Sequence, residues 1–148
     1  MITRMLLAVD DTVDSLAATR VALEMARVPG RVLRAVHVSA EPGLVEALRR
    51  GSTSPGAAAR RGRSEAAVLE HVRAMARTAG VEVGVALLSG EPGQAVLREA
   101  RRWQADLVVV GKSTRSASGE PYVGTVTRHI LEFSEQPVLV VPATRHGR

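Results

Sequence analysis

The sequence has no cysteine and very few aromatic residues: one tryptophan, one tyrosine and one phenylalanine among 148 residues. Without cysteine, the chain can form no disulfide, no thiolate metal site and no thiol nucleophile. The scarcity of aromatic side chains argues against a stacking surface for single-stranded nucleic acid. Apolar residues make up 45% of the chain and are almost all aliphatic, so we expect one domain with an aliphatic core.

Long hydrophobic runs are also missing. The first apolar run, Met5–Val9, ends at Asp10, whereas a membrane-spanning helix needs about 20 apolar residues and a secretory signal needs roughly 7–15. We therefore expect a cytoplasmic protein that makes no contact with membranes.

Positive charge is in moderate excess, with a formal net charge of +5 at pH 7. The arginines are scattered along the chain rather than gathered into one block, which is typical of solvated helix faces and loops. Nucleic acid is for this reason not an expected partner. A basic protein that binds anions or RNA stays open as a third reading, and a strong dependence of binding on salt would distinguish it.

Five runs rich in valine and leucine alternate with helical patterns. The runs are almost continuously apolar, which is typical of strands buried on both faces of a parallel sheet. They are Arg4–Val9, Arg31–Val38, Val81–Leu88, Asp106–Val110 and Pro137–Val141. Apolar residues spaced three and four apart between the runs predict amphipathic helices. The chain is therefore predicted to be an α/β protein, with an open five-stranded parallel sheet and helices on both faces.

The segment 39–62 interrupts this alternation with prolines, glycines, serines and arginines. It is predicted to be a flexible loop within a single domain that spans residues 1–148. Loops of this length either cover a site in an α/β fold or form a plain surface excursion, and the sequence favours neither of the two.

A glycine-containing segment follows the fourth predicted strand. It begins at Gly111, and Gly124 and Thr125 stand just before the last predicted helix. Backbone N–H groups of such a loop, together with the positive end of the helix, favour a phosphate. The segment is not a Walker A loop, because that motif requires glycine five residues before Gly111 and the chain has Asp106 there.

Asp10 directly follows the first predicted strand, at the edge of the sheet where open α/β folds bind ligands. The pair Asp10 and Asp11 is similar to the acidic pair of a phosphoacceptor receiver domain. That chemistry also needs an aspartate after the third strand and a lysine after the fifth, where this chain has Ser89 and Pro142, so we reject it. The sequence shows no pattern of a catalytic triad or of a catalytic carboxylate pair either, and we assign no catalytic residue. The four histidines share no metal-ligand spacing and are expected to be structural or solvated.

These features together resemble the universal stress protein family over nearly the whole chain. The first strand ends in Val-Asp-x-Thr where the family has Val-Asp-x-Ser, and the turn Gly90-Glu91-Pro92 and the closing block from Gly124 to Val141 are similar to the family's. Nucleotide-binding members carry the pattern G-x2-G-x9-G-[ST]. This chain matches it with the spacing intact, except that Thr114 replaces the second glycine.

The resemblance implies a Rossmann-like fold of the adenine nucleotide alpha hydrolase-like class that binds ATP, or else ADP or AMP, with Mg²⁺ on the phosphates. The role implied is a nucleotide-dependent sensor of stress, with at most slow ATP hydrolysis. The resemblance also implies a homodimer through the fifth strand. The cofactor-binding residues that it implies are Ala8, Asp10, Val38, Gly111, Thr114, Gly124, Thr125 and Val126.

A second interpretation is left open by the sequence. Thr114 and the pair Pro121-Tyr122 depart from the family's loop pattern, and a β-branched residue is poorly suited to a position that needs a positive φ. A member of the same fold that binds no nucleotide and acts through protein contacts is the alternative.

Overall fold

The computed structural model describes residues 1–39, 57–112 and 123–143, with backbone alone for 57–63. Strands and helices alternate along these residues, and each predicted strand is confirmed with ends that differ by two residues or fewer. The elements are β1 (Arg4–Ala8), α1 (Val13–Met25), β2 (Val32–Ser39), α2 (Ala57–Ala79), β3 (Val83–Ser89), α3 (Pro92–Trp103), β4 (Leu107–Gly111), α4 (Thr125–Phe133) and β5 (Val138–Val141).

The five strands form one parallel sheet in the order β3-β2-β1-β4-β5. The strand order therefore reverses between β1 and β4, which leaves a crevice at the carboxyl ends of these two strands. The α/β prediction is confirmed. Across the described ranges, no helix combines the length and the apolar character that crossing a bilayer requires.

The core consists of two aliphatic layers, one on each face of the sheet. Side chains of β1 alternate between them: Met5 and Leu7 pack with α1 and α2, whereas Leu6 packs with α3 and α4. All three are fully buried, and burying each contributes about 1.5–3 kcal/mol. This packing on both faces explains why the strands are apolar at every position rather than at alternate ones.

The amino end of the sheet is tied together by Asp106. Its Oδ2 accepts hydrogen bonds from the Thr3 N–H (2.9 Å), the Thr3 hydroxyl (2.8 Å) and the Arg4 N–H (2.8 Å). The backbone donors of Arg4 and Thr3 lower the pKa of Asp106 to about 2. Arg4 also donates to the Trp103 carbonyl and lies over the indole ring, so the end of α3 is fixed to the start of β1.

A buried carboxylate holds α3 against β2. Glu99 lies beneath the helix and accepts hydrogen bonds from the Arg34 Nε (2.8 Å) and from two nitrogens of Arg102 (2.7 and 2.8 Å). The bonds from Arg102 hold the pKa of Glu99 below its ordinary value, and Arg34 adds to this effect against burial, which raises it. The charge is therefore satisfied inside the fold and lies away from the crevice.

The predicted loop over 39–62 falls mainly on residues outside the described ranges. Ser39 is the last residue of β2, and α2 already begins at Ala57. The ends of the predicted loop therefore belong to regular elements, and its predicted flexibility stays a prediction.

Candidate functional site

A cavity of about 230 Å³ lies at the carboxyl ends of β1, β2 and β4, between the first turns of α3 and α4. It occupies the crevice created by the reversal of strand order, as expected for an open α/β sheet. Thr114 lies outside the described residues. The other seven residues predicted to bind a cofactor all line the cavity: Ala8, Asp10, Val38, Gly111, Gly124, Thr125 and Val126.

One side of the cavity is an aliphatic slot. Val36 and Val38 of β2 and Val110 of β4 form its floor, and Val96 of α3 and Val126 of α4 face them. These side chains belong to the core layer between the sheet and the α3–α4 face. A slot of this composition fits a flat, largely apolar ring.

Asp10 is held in a network at the start of α1. Its Oδ1 accepts hydrogen bonds from the Thr12 N–H (2.8 Å) and the Thr12 hydroxyl (2.5 Å), and its own N–H donates to the Ser15 Oγ (2.8 Å). Thr12 is also the N-cap of α1 and accepts from the Ser15 N–H (3.1 Å). Within the described part of the chain, Oδ2 of Asp10 accepts no hydrogen bond, so it can accept one from a ligand hydroxyl.

The first turn of α4 closes the other side. Gly124 is the N-cap, with φ −66° and ψ 161°, and it offers no side chain to accept from the helix's first N–H groups. Its own N–H donates to the Lys112 carbonyl (3.1 Å), and the buried Thr127 hydroxyl donates to the Gly111 carbonyl (2.8 Å). The helix start is therefore rigidly placed and uncapped, which is the arrangement that favours an anion.

Gly111 lines the cavity, but its lack of a side chain has a packing cause. A Cβ on Gly111 would lie 2.8 Å from the carbonyl carbon of Asp14 and 2.9 Å from the Ser15 nitrogen. These are backbone atoms of the first turn of α1, and they have little freedom to move. The close approach of α1 to the end of β4 is thus a sufficient reason for glycine here.

The structure adds functional candidates that the sequence interpretation did not include. Thr12 is the N-cap of α1, and its hydroxyl also donates to the Asp10 carboxylate. His37 was expected to be structural or solvated; it lines the cavity wall, and its Nδ1 lies 2.7 Å from the Val9 carbonyl. The sequence feature that could have pointed to His37 is its position as a polar residue near the end of an otherwise apolar strand.

Lys112 follows β4 and is half-buried, whereas Ser113 and Arg115 lie outside the described residues. Among residues 1–39, 57–112 and 123–143, no three His, Cys, Asp or Glu side chains are grouped as a metal site would require.

The fold and the cavity define an α/β protein with a ligand pocket at the topological switch point of its sheet. The profile of the Universal stress protein family matches residues 1–142. The chain therefore belongs to the universal stress protein family, as its resemblance implied.

Individual relatives agree with this assignment. The "universal stress protein in QAH/OAS sulfhydrylase 3′ region" of Thermus aquaticus is 30% identical over 148 residues, covering 95% of this chain and 99% of that protein. Universal stress protein MJ0531 of Methanocaldococcus jannaschii is 30% identical over only 73 residues, 49% of this chain and 43% of that protein.

Solved structures share the fold. The universal stress protein from Archaeoglobus fulgidus in complex with dAMP superposes with a TM-score of 0.66 at 22% identity, covering 95% of this chain and 98% of that one. Other structures that match this chain hold AMP or cAMP. At this level of identity the likeness establishes the shared architecture.

Proposed function

We propose that this universal stress protein binds an adenine nucleotide in the cavity and acts as a nucleotide-dependent sensor in a stress response. The observation that carries the proposal is the uncapped start of α4, which faces an aliphatic slot across the carboxyl edge of the sheet. A nucleotide needs both kinds of surface, because its base is flat and largely apolar and its phosphates are anionic. Related proteins of this fold that hold AMP, dAMP or cAMP support the proposal.

The chemistry of the lining residues fits each part of the ligand. The base would lie in the slot beside Val38, a ribose hydroxyl would donate to Oδ2 of Asp10, and the phosphates would meet the first turn of α4 at Gly124 and Thr125. The cavity of about 230 Å³ is smaller than the roughly 300–1,000 Å³ of most ligand sites, so it fits a nucleoside, with the phosphates lying at its mouth. ATP is the proposed ligand, with ADP and AMP as alternatives, and Mg²⁺ would be held by the phosphates.

We expect binding rather than rapid catalysis. Asp10 is engaged by Thr12 on one oxygen and is proposed to hold the sugar through the other, which leaves it no role as a base toward the terminal phosphate. Any hydrolysis of ATP is therefore expected to be slow, and no catalytic residue is assigned.

The proposal is tested by calorimetric titration of the nucleotide-stripped protein with ATP, ADP and AMP in the presence of Mg²⁺. We expect saturable binding in the micromolar range and a dissociation constant about tenfold higher for Asp10→Asn, which weakens one charge-assisted hydrogen bond. Asp11→Asn is the matched control, because Asp11 is exposed and lies outside this cavity. No heat and no thermal stabilisation by any of the three nucleotides would refute the proposal and favour the alternative that acts through protein contacts.

We also propose that the protein is a homodimer that associates through β5. This strand is the last in the sheet order, and an apolar edge strand offers unpaired backbone groups to a second copy.

A further inference from the structure

The ladder between β1 and β2 ends in an irregular way at the cavity. Ala8 pairs with Val36, and the Val9 N–H donates to the Val36 carbonyl (2.9 Å). A parallel ladder would continue with a bond from the Val38 N–H to the Val9 carbonyl. Among the described residues that bond is not made, and the Val9 carbonyl instead meets Nδ1 of His37 at 2.7 Å.

The chemistry of the pair fixes the direction of this hydrogen bond. A carbonyl oxygen only accepts, so Nδ1 of His37 carries the proton and donates it to Val9. The other ring nitrogen, Nε2, lies 3.7 Å from Oε1 of Glu65 on α2, and the histidine side chain is only 12% exposed. The imidazole is thus held in one orientation between the end of β1 and α2.

The hydrogen bond between His37 and Val9 affects the backbone groups of Val38. Residues alternate along a parallel strand in the neighbour that their N–H and carbonyl groups face, so Val38 faces the β1 side as Val36 does. β1 ends at Ala8, and Val38 lines the cavity. Its N–H and carbonyl therefore face the gap in which a ligand would lie. The Val9 carbonyl, which would be the acceptor of this N–H in a continued ladder, accepts from His37 and makes no bond with Val38.

We propose that His37 is a positioning residue of the ligand site, which keeps the Val38 N–H free to donate to a ring nitrogen of the bound base. A donor and an acceptor on one residue match adenine, which offers a ring nitrogen beside an amino group. Guanine held in the same orientation is mismatched, because its ring N–H would face the Val38 N–H and its carbonyl would face the Val38 carbonyl. His37 then acts on affinity and on base selectivity without touching the ligand, and the inference in this form rests on the proposed nucleotide function.

The binding test compares three variants by calorimetry with ATP and GTP. His37→Leu removes the donor and frees the Val9 carbonyl, so ATP should bind roughly tenfold more weakly while weak GTP binding is unchanged. His37→Asn places an amide N–H near the position of Nδ1 and should restore ATP binding to within about twofold. Glu65→Gln keeps a side chain of the same size facing Nε2 and leaves the hydrogen bond from Nδ1 to the Val9 carbonyl in place, so both dissociation constants should stay unchanged. A lower melting temperature for His37→Leu with an unaltered ATP-to-GTP preference would overturn the proposal.

Amide hydrogen exchange measured by NMR tests the same role without any ligand. In the ligand-free wild type, the Val38 amide should exchange much faster than the Val36 amide, which lies within the ladder. In His37→Leu it should slow by about tenfold or more, because the Val9 carbonyl becomes available to it. If the wild type binds no nucleotide, the proposed function fails, and the exchange rates still decide the role of His37. A Val38 amide that is protected in the wild type would refute that role whatever the titration gives.

Discussion

Two glycines near the cavity are required by neighbours that approach their α-carbons. A Cβ on Gly93 would lie 2.6 Å from the His129 ring, and a Cβ on Gly111 would lie 2.8 Å from the backbone of Asp14. The first neighbour is a side chain that can turn aside, whereas the second is the backbone of a helix. Gly111 is therefore the less replaceable of the two.

Gly111→Ala is expected to lower the free energy of unfolding by about 1–3 kcal/mol, because the added methyl group forces α1 away from β4. The measurement is urea denaturation followed by circular dichroism. Gly84→Ala is the control: the nearest atom to its added Cβ is Nη1 of Arg34 at 4.0 Å, so its stability should stay within about 0.5 kcal/mol of the wild type. Equal stability of the two variants would contradict the close approach of α1.

Asp106 makes the stability of the fold depend on acid. Its folded-state pKa of about 2 lies below the ordinary 3.8, so its contribution is complete above about pH 4 and is lost as the pH falls through about 2. Melting temperatures between pH 5 and pH 2 should fall more steeply for the wild type than for Asp106→Asn. Asp11→Asn, which removes an exposed carboxylate, should follow the wild-type slope. Parallel curves for the wild type and Asp106→Asn would refute this assignment.

At the scale of an element, one substitution at the start of α4 should change the stability of the helix and the binding of ATP in opposite directions. Thr125 is exposed at the first position of the helix, so Thr125→Asp should stabilise the helix by about 0.3–1 kcal/mol through its dipole. The same carboxylate repels a phosphate and should weaken ATP binding by at least about tenfold. Thermal melting and calorimetry measure the two effects.

Thr125→Val is the matched variant, since it removes the hydroxyl without adding charge, and its ATP affinity should fall by no more than about fivefold. If Thr125→Asp bound ATP as tightly as the wild type, the phosphates would not lie at this end of α4.

The elements differ in how far the sequence could predict them. β1 and β4 are apolar at nearly every position, so their type and place were predictable from pattern alone. The start of α2 at Ala57 was not predicted, because Gly56 and Gly62 outweighed the helix-forming alanines between them. Packing on a sheet stabilises helices beyond their local propensity, and that contribution is not visible in a short stretch of sequence.

The site was predictable to the level of strand ends and no further. Asp10, Gly111 and Gly124 follow strands or precede a helix, so topology alone brings them to one edge. The bond from His37 to Val9 depends on where β1 leaves the ladder and on one side-chain rotamer. Neither is encoded in residue spacing, so that contact required the structure.

At the scale of the whole molecule, β5 determines how a second copy could join the sheet. The Val108 N–H donates to the Pro137 carbonyl, and the Lys112 N–H donates to the Val141 carbonyl. Because neighbouring residues face opposite sides, the backbone of Val140 points away from β4, and that of Leu139 points toward it. The outward groups are the ones a partner strand would use.

Val140→Pro is expected to convert a dimer to a monomer in sedimentation equilibrium while leaving the circular dichroism spectrum intact, because proline is tolerated where the lost N–H points off an edge. Leu139→Pro should instead lower the melting temperature strongly, because it removes a bond to β4. A wild-type protein that is monomeric at micromolar concentration would refute association through β5.

The position of the single tryptophan has a practical consequence for all of these variants. Trp103 ends α3 and is clamped by Arg4 at the amino end of the sheet, whereas the cavity opens at the carboxyl end. Its fluorescence should change when the clamp opens on denaturation and stay constant while the cavity fills. Emission from one native chromophore thus reports, without a label, whether a variant that fails to bind has also failed to fold.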